Sequence, residues 1–414
     1  MKVMQVNCTN RGSVGKIMNT IGSALSEHGD TSILCYSLGD ETDPQQNRYK
    51  VAGWLEPRIH DRVVRFTAIP YGFAPVATQR LIQRIRVEKP DIVHLHCPNS
   101  TMNVYRLLRW LQKHKIPVVL TNHCEMFYTG NCAYSFDCEG WMDGCKNCKH
   151  SKDYCRSFLF NRTDTAWNHM YHALHGFEKI AITSVSEWVY HRSSVAPITG
   201  RYPNVLIENA IDTSVYFPRI VNASALKKQF GIPENKKMVL FVTAKFNLNP
   251  SDIKGGYYLV ELAKQMIGED LLFVVVGSRE KTAGLPQNIV DIGRVENEDK
   301  LSELYSIADL SLVLSKKETF SMPCAESQCC GTPIVGFRAG GPESISIPAY
   351  AEFCEYGNLE AVQELILKWV DRKEKNSIQI ATEAHAKFNE KRMTEQYRNI
   401  YCSLVNQGID EGNL

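Results

Sequence analysis

The sequence lacks the features that mark nucleic-acid-binding and membrane-spanning proteins. Its 47 Lys and Arg residues nearly balance 45 Asp and Glu residues, and the formal net charge is only +2. This small excess supports neither a nucleic-acid partner nor membrane attraction through bulk charge. No apolar run approaches the roughly 20 residues that a spanning helix needs, and short repeats and low-complexity runs are absent as well. Since the sequence opens on an apolar strand pattern rather than a secretory leader, we expect a cytoplasmic protein.

The chain has enough length and apolar content for two hydrophobic cores. With 414 residues, of which 44% are hydrophobic, it predicts two domains of about 200 residues each. Short apolar runs alternate with helical stretches in both halves, which is typical of α/β domains with parallel sheets. We place the first domain at residues 1–205 and the second at 206–385, followed by an amphipathic helix and tail at 386–414.

Two glutamates, Glu318 and Glu326, lie eight positions apart beyond a predicted strand of the second domain. The apolar run 310–315 is short enough for a buried strand, so Glu318 falls in the loop where open α/β sheets bind ligands. Pro323 suits the first turn of a helix, which places Glu326 on an early turn. Unpaired amides at such a helix start form a cradle for an anion such as a phosphate. These amides belong to Phe320, Ser321 and Met322.

The spacing of the two glutamates resembles the signature of the GT-B retaining glycosyltransferases of family 4. The resemblance implies two Rossmann-like domains with a cleft between them and a C-terminal helix that crosses back to the first domain. It also implies that Glu326 binds the ribose of a nucleotide sugar, while Glu318 lies against the donor sugar. A further loop of the family is matched by Gly340, Gly341 and Glu343. Two isolated glutamates would more simply be solvated charges, but the neighbouring matches favour a site.

Further matches surround this motif in the second half of the chain. Segment 207–212 is similar to the Asn-Gly-Ile-Asp segment that enters the second domain in the family, with Ala210 in place of the glycine. Family members place a cation at two positions, which here are Lys245 and Lys254. Lys245 stands where an arginine is usual, so it keeps the charge but loses the bidentate fork, and an ordinary surface lysine is the alternative. By the same resemblance, Val295 lies near the nucleotide base.

The first domain carries a glycine-containing loop after its first strand. Gly12 and Gly15 precede a stretch whose apolar residues share a helical face. The loop is not a P-loop, because the upstream glycine and the Ser or Thr after Lys16 are missing. Family members carry a glycine-rich loop here that faces the donor, so the resemblance assigns both glycines to the donor site.

Histidines end two predicted strands of the first domain. His94 is favoured as a structural histidine within the sheet, whereas His96 ends its strand and could line the cleft. The next strand delivers His123 and Cys124. Relatives in an exopolysaccharide-associated branch have a His-Asp pair at these positions, so Cys124 departs from the pattern. We predict that His123 meets the donor sugar or the acceptor.

The resemblance also implies a mechanism without a protein nucleophile or a cofactor. Transfer in this family proceeds on one face of the sugar, and the departing phosphate helps to deprotonate the acceptor. Two ammonium groups near the diphosphate would neutralise the leaving group. The predicted catalytic residues are His123, Glu318, Lys254 and Lys245. The predicted contacts of the nucleotide sugar are Gly12, Gly15, Lys245, Lys254, Val295, Thr319, Phe320, Ser321 and Glu326.

Cysteines are concentrated in the segment 130–155, which follows His123. Cys145 and Cys148 have the spacing of a metal knuckle, and Cys132 with Cys138 would complete a tetrahedral thiolate site. In a reducing compartment zinc is favoured over disulfides, with free thiols as the alternative. Four protein ligands would make such a zinc structural rather than catalytic. Spare candidate ligands are His150 and Cys155.

The sequence therefore predicts a glycosyltransferase that uses a nucleotide-diphosphate sugar. The cysteine segment resembles the bacterial surface polysaccharide branch, which implies a glycan or polyprenyl-linked oligosaccharide as acceptor. A basic stretch, residues 80–86, offers a peripheral contact with the inner membrane, although ordinary amphipathic packing is favoured for it. A nucleotide-sugar epimerase and a non-catalytic binding module are the alternative functions.

Overall fold

The computed structural model describes residues 1–99, 101–152, 157–279, 284–372 and 376–406. The chain divides into two units, of which the first comprises Met1–Asn209 together with the chain from Lys391, and the second Ala210–Glu390. Each unit is built on its own sheet of parallel strands flanked by helices. The predicted fold class, two parallel-sheet α/β domains of the Rossmann-like kind, is therefore confirmed.

The first unit contains a seven-stranded sheet in the order β3-β2-β1-β4-β5-β6-β7, with parallel pairing throughout these strands. The strands are β1 (Lys2–Thr9), β2 (Thr31–Leu38), β3 (Arg48–Lys50), β4 (Ile92–Leu95), β5 (Val118–Asn122), β6 (Ile180–Ser184) and β7 (Asn204–Leu206). The helices are α1 (Gly12–Glu27), α2 (Glu56–Thr67), α3 (Pro75–Glu88), α4 (Val104–Lys113), α5 (Met126–Thr129), α6 (Thr163–Leu174) and α7 (Glu187–Val195). Short 3-10 turns cover Pro44–Gln46 and Gly140–Asp143.

The second unit contains a six-stranded sheet in the order β10-β9-β8-β11-β12-β13, also with parallel pairing. The strands are β8 (Lys237–Phe246), β9 (Leu271–Arg279), β10 (Ile289–Gly293), β11 (Leu310–Val313), β12 (Ile334–Phe337) and β13 (Ala351–Cys354). The helices are α8 (Ala223–Gln229), α9 (Gly256–Gln265), α10 (Glu298–Ile307), α11 (Met322–Cys329), α12 (Gly341–Ile345), α13 (Leu359–Val370) and α14 (Ser377–Lys387), and a 3-10 turn covers Pro348–Tyr350.

The strand order reverses once in each sheet. In the first sheet β1 pairs with β2 on one side and with β4 on the other. In the second sheet β8 pairs with β9 on one side and with β11 on the other. Open parallel sheets bind ligands beyond the carboxyl ends of the strands at such reversals. The loops after β1, β4, β8 and β11 are therefore where functional residues are expected.

The last helix, α15 (Glu390–Asn406), lies on the sheet of the first unit. The buried residues on its apolar face are Met393, Thr394, Tyr397, Ile400, Tyr401 and Leu404, at helical spacing. The hydroxyl group of Tyr401 lies 2.7 Å from Nδ1 of His94 on β4. That of Tyr397 lies 3.2 Å from Oγ1 of Thr121 on β5. Apolar burial and hydrogen bonds therefore fix the helix to two central strands.

None of the helices in the described ranges combines the length and the apolar character needed to cross a membrane.

Candidate functional site

Glu318 and Lys254 form an ion pair beyond the carboxyl ends of β11 and β8. Nζ of Lys254 donates to Oε1 of Glu318 at 2.5 Å, and the Ser315 hydroxyl group donates to the same oxygen at 3.0 Å. The Glu318 side chain is only 12% exposed, against 34% for Lys254. The structure thus brings together two of the residues predicted to be catalytic, at the strand reversal of the second unit.

The glycines next to Lys254 let its backbone approach the end of β11. Gly255 has a φ of +82°, and a Cβ atom added there would lie 2.2 Å from the carbonyl oxygen of Leu314. At Gly256 a Cβ atom would lie 2.4 Å from the carbonyl oxygen of Asn247. Neither position can therefore take a side chain without moving backbone. Close backbone contact is what holds Lys254 beside Glu318.

The loop that carries Glu318 is fixed by the segment that starts α12. The Glu318 amide donates to the Ala339 carbonyl at 3.0 Å, and the Gly341 amide donates to the Glu318 carbonyl at 2.8 Å. The two carboxylate oxygens of Glu343 accept from the amides of Gly340 at 2.8 Å and Ala339 at 2.9 Å. Gly340, Gly341 and Glu343, which matched the family in sequence, thus hold the backbone of Glu318 in place.

The predicted anion cradle lies at the start of α11. Ser321 precedes the helix with a φ of +83°, an unusual conformation for a residue with a side chain. Thr319 and Phe320 are buried, and a Cβ atom at Gly341 would lie 2.6 Å from the Phe320 amide nitrogen. The first-turn amides of a helix lack intrahelical acceptors, so this start suits an anionic ligand.

Glu326 lies within α11 and is almost fully buried. The Tyr305 hydroxyl group donates to Oε2 of Glu326 at 3.2 Å. Burial and the negative charge of Glu326 together raise the pKa of Tyr305 well above its ordinary value. A tyrosine that stays protonated fixes the orientation of this carboxylate, which can accept the hydroxyl groups of a ligand.

Two further residues predicted for the donor site, Lys245 and Val295, lie near the ends of β8 and β10 in the second unit. Lys245 is exposed near the end of β8, where its backbone pairs with Ser278 of β9 across a register shift. Val295 is half-buried and follows β10, the strand at the edge of the sheet. Their predicted roles at the diphosphate and the base stay predictions.

In the first unit, Gly12 and Gly15 start α1 directly after β1. Gly12 has a φ of +74° and open space around it, whereas a Cβ atom at Gly15 would lie 2.4 Å from the Asn10 carbonyl oxygen. The loop is closed by Arg11, whose Nη2 donates to Oδ1 of Asp40 at 2.5 Å. The amides of this helix start lie at the strand reversal of the first sheet.

His123 follows β5 and contacts a buried histidine of the neighbouring strand. Nε2 of His123 lies 3.0 Å from Nδ1 of His96, and Nε2 of His96 lies 3.0 Å from Oε1 of Gln5. His96 is fully buried, so the expectation that it lines a cleft is wrong, and it instead supports His123 from behind. Burial lowers the pKa of His123 to about 3, which keeps its ring neutral. His94, predicted to be structural, lies between the hydroxyl groups of Tyr401 and Thr121.

Cys124, which stands where relatives have aspartate, belongs to a thiol pair. Its sulfur lies 3.8 Å from Sγ of Cys97, and Nδ2 of Asn99 donates to it at 3.3 Å. The hydrogen bonds from Cys97 and Asn99 lower the pKa of Cys124. Of the two thiols, Cys124 therefore loses its proton more readily than Cys97, whose pKa is raised.

Glu125 is a site residue that the sequence analysis missed. It is fully buried, and its carboxylate accepts hydrogen bonds from Tyr128 at 2.8 Å, from the Ser135 amide at 2.5 Å and from Nε of Arg192 at 2.9 Å. Arg192 also lies over the ring of Trp141, 4.9 Å from its centroid. This network fixes the segment after His123 to α7. The only sequence signal is a charged residue two positions after His123 in an otherwise apolar stretch.

The cysteines predicted to bind zinc line a cavity but do not form a metal site. The cavity has a volume of about 210 Å³, and its lining includes Cys132, Cys138, Cys145, Cys148 and His150. Burial and the nearby sulfur atoms raise the pKa of Cys145 above its ordinary value. Among the described residues no group of three or more His, Cys, Asp or Glu side chains is arranged to hold a metal ion. The zinc prediction therefore has no support there, and none of the four cysteines is in a disulfide within the described ranges. Cys155 lies outside the described residues.

Comparison with known proteins places both halves of the chain among glycosyltransferases. Residues 14–195 match the family model described as Glycosyltransferase Family 4, and residues 222–385 match the one described as Glycosyl transferases group 1. A Bacillus anthracis protein named N-acetyl-alpha-D-glucosaminyl L-malate synthase is 28% identical over 211 residues, which are 48% of this chain and 53% of that protein. The chain thus spans about half the length of this curated relative.

Solved structures resemble the fold over nearly the whole chain. Sucrose-phosphate synthase from Thermosynechococcus elongatus superposes with a TM-score of 0.69 at 14% identity, covering 98% of this chain and 99% of that one. HepE from Anabaena, solved in complex with UDP, gives a TM-score of 0.64 at 15% identity, covering 97% and 100%. At such low identity these likenesses show the fold alone. Two glycosyltransferase domains thus make up most of the chain, a Glycosyltransferase Family 4 domain at residues 14–195 and a Glycosyl transferases group 1 domain at 222–385, on parallel sheets of the GT-B kind.

Proposed function

We propose that the protein is a retaining glycosyltransferase of the hexosyltransferase type. It would move a sugar from a nucleotide-diphosphate sugar to a glycan or polyprenyl-linked oligosaccharide in bacterial surface polysaccharide biosynthesis. The observation that carries the proposal is the pair of Glu318 and Lys254 beyond β11, next to the start of α11 that carries Glu326. A cation, a row of amides and two carboxylates are the groups that a sugar diphosphate requires. The solved relative in complex with UDP has the same fold.

The ion pair suggests how the donor binds. In this structure the ammonium group of Lys254 compensates the charge of the mostly buried Glu318 carboxylate. A diphosphate, with its higher negative charge, would draw Lys254 to itself and hold it by a charge-assisted hydrogen bond. Glu318 then keeps the hydroxyl group of Ser315 and can accept hydroxyl groups of the sugar. The same lysine compensates the charge that develops on the leaving phosphate.

The reaction balances without a further reagent. The bond between the anomeric carbon and the phosphate oxygen breaks, and a bond from that carbon to the acceptor oxygen forms on the same face. The acceptor proton passes to the departing phosphate oxygen. His123, whose ring is neutral because burial lowers its pKa to about 3, would assist by hydrogen bonding to a sugar hydroxyl group. Neither a metal nor another cofactor has a step in this scheme.

A small acceptor is the second candidate. The Bacillus anthracis relative is named for the transfer of an N-acetylglucosaminyl group to L-malate. The match to this relative covers 48% of the chain. Its name therefore favours a small hydroxylated acid as the alternative acceptor to a glycan chain. Product analysis with both acceptor classes decides between them. An epimerase would instead change the sugar of the donor without any acceptor.

If the acceptor is lipid-linked, the protein would contact the cytoplasmic face of the membrane to reach it. The candidate is the basic part of α3, but Nη1 of Arg84 donates to Oε1 of Glu88 at 3.0 Å and its guanidinium group lies over the Tyr49 ring. Arg86 lies over the ring of Trp110. These contacts favour packing within the protein, so we expect weak sedimentation with anionic vesicles unless the acceptor lipid is present.

The first test is a thermal-shift panel with UDP, GDP, ADP, CMP and their sugar conjugates. A nucleotide that binds the folded protein raises its melting temperature. Glu326→Ala should remove this rise, because ribose hydroxyl groups lose their acceptor at a cost of about 1 to 3 kcal/mol. Glu355→Ala is the matched control, since this glutamate lies on the surface of the same unit with 76% of its side chain exposed. A rise that persists in Glu326→Ala would contradict the assigned donor site.

A further inference from the structure

Three neighbouring strands of the first sheet place Gln5, His96 and His123 in one hydrogen-bonded row. Gln5 lies on β1, His96 follows β4 and His123 follows β5, and these strands are adjacent in the sheet. Oε1 of Gln5 lies 3.0 Å from Nε2 of His96, and Nδ1 of His96 lies 3.0 Å from Nε2 of His123. Gln5 and His96 are fully buried, while His123 is half-buried. Neither Gln5 nor His96 has a place in the mechanism described above.

The orientation of the Gln5 amide is fixed by a backbone carbonyl group. Nε2 of Gln5 donates to the carbonyl oxygen of Met18 at 2.9 Å and to the hydroxyl oxygen of Ser32 at 3.0 Å. A carbonyl oxygen can only accept, so a flipped amide would place two acceptors against each other. Oε1 of Gln5 must therefore face His96.

The protons of both histidines follow from this orientation. Since Oε1 of Gln5 only accepts, Nε2 of His96 has to carry a proton. Burial lowers the pKa of His96 well below its ordinary value, so its ring is neutral and Nδ1 has a lone pair. That lone pair faces Nε2 of His123, which must then be the donor. The His123 ring is neutral too, so its Nδ1 is the unprotonated nitrogen.

We propose that Gln5 and His96 are positioning residues that fix His123 in the Nε2-protonated tautomer, so that Nδ1 meets only groups that donate. If His123 contacts the donor sugar or the acceptor, as the proposed function holds, its partner there is a hydroxyl group. A carboxylate or a phosphate oxygen has no proton to donate and would be rejected at this nitrogen. The row thus makes His123 favour a position that donates a hydrogen bond over one that presents a carboxylate or phosphate oxygen. The row would fix this tautomer without the aspartate that the family resemblance implies at the position of Cys124.

The direct test is NMR spectroscopy of the full chain labelled with [15N]histidine. Two-bond proton-nitrogen correlations identify the protonated nitrogen of each ring, and a 15N–15N coupling across the hydrogen bond identifies the donor and acceptor. We expect Nε2 protonation in both His96 and His123, with a coupling between Nδ1 of His96 and Nε2 of His123. Signals are assigned with His123→Gln, and His94→Gln serves as a buried control from the same strand. A protonated Nδ1 in His123, or no coupling in the wild-type protein, would overturn the proposal.

Kinetics test whether the row acts in transfer. His96→Leu removes the acceptor for His123, and we expect kcat to fall by about two- to tenfold, the effect of one hydrogen bond, while the KM for the donor changes less. His96→Asn, whose Oδ1 can accept near the position of Nδ1, should recover most of this loss. Gln5→Leu should weaken the coupling and lower kcat in the same direction.

The outcomes separate this inference from the proposed function. If the coupling is present but kcat is unchanged in His96→Leu and Gln5→Leu, the positioning role is refuted although the protein remains a transferase. If the wild-type protein transfers no sugar, the proposed function fails, and the NMR arm still decides the tautomer. Equal loss of activity in His96→Leu and His96→Asn would indicate damage to the fold rather than loss of an acceptor, and it would also refute the role.

Discussion

Acidification is expected to destabilise the first unit through two buried histidines, His94 and His96. Neither side chain has exposed surface, and burial lowers the pKa of both well below the ordinary value, with a smaller contribution from the nearby His123. The two nitrogens of His94 each lie 2.7 Å from a hydroxyl group, of Tyr401 and of Thr121. Both rings are therefore neutral in the folded protein at a pH where an unfolded chain would protonate them.

The magnitude follows from the difference in bound protons. An unfolded histidine has a pKa of about 6.5, so below that pH the unfolded chain binds more protons than the folded one. The contribution of each ring is fully present above about pH 6.5 and is lost as the pH falls. Between about pH 7.5 and about pH 5.5 each ring lowers the free energy of unfolding by about 1.4 kcal/mol, and the two together by about 3 kcal/mol. That is a large part of a typical total of roughly 5 to 15 kcal/mol.

The measurement is urea unfolding followed by tryptophan fluorescence across this pH range. Five of the six tryptophans lie in the first 209 residues, so the signal reports mainly the first unit. The variant His94→Gln has one buried ring fewer, and its loss of stability between the two pH values should be smaller by about 1.4 kcal/mol. Other titrating groups, among them His123, contribute to both proteins and largely cancel in this comparison. An equal loss in the wild-type protein and the variant would refute the reasoning, whatever the absolute stability of the variant.

Three further substitutions test the site and its support. Lys254→Ala should lower kcat by about a hundredfold, while the KM for the donor changes less, because the leaving-group charge grows in the transition state. In steady-state kinetics, a raised KM with an unchanged kcat would show instead that Lys254 contributes only to ground-state binding. Gly255→Ala should lower the free energy of unfolding by more than about 2 kcal/mol, since the φ of +82° and the nearby carbonyl oxygen forbid a Cβ atom. The control is Gly268→Ala, because a Cβ atom there would lie in open space. This control should change the melting temperature little, and similar shifts in the two variants would contradict the explanation. Glu125→Gln should lower the free energy of unfolding by about 3 kcal/mol, because Arg192 loses its buried partner. Urea unfolding measures this change, and an unchanged midpoint would show that the ion pair does not stabilise the fold.

The main part of the proposed donor site could be predicted from local sequence. Glu318 follows a short apolar run and Lys254 precedes two glycines, and each feature is readable without knowledge of distant residues. Parallel strands bring such loops together at one edge of the sheet, so the contact between the two side chains follows from the fold class. The role of Glu343 was less accessible. A carboxylate that caps two amides cannot be distinguished in the sequence from one that binds a ligand.

The features of the first unit depend on strand order and side-chain geometry that the sequence does not contain. Gln5 and His96 are 91 positions apart, and their hydrogen bond exists only because β1 and β4 are neighbours in the sheet. The zinc prediction rested on the spacing of Cys145 and Cys148, but spacing limits only how near two thiols can come. Whether four sulfur atoms converge to metal-ligand distance depends on every turn between them. Among the described residues these turns leave a cavity lined by thiols rather than a closed metal site.

One of the unusual backbone conformations at helix starts, which also occur at Ala74 before α3 and Asn376 before α14, lies beside the ion pair of the second unit. Ser321 has a φ of +83° directly before α11, a conformation that costs of order 1 to 3 kcal/mol for a residue with a side chain. Lys89 also has a positive φ, but it ends a helix, where a left-handed residue is common and satisfies a carbonyl group. Ser321 ends nothing, and at a helix start an extended residue with a capping oxygen would be more stable. Its conformation instead turns the chain between Glu318 and Glu326. Because Ser321 lies beside the ion pair, we propose that this conformation opens the helix start to the diphosphate of the proposed donor.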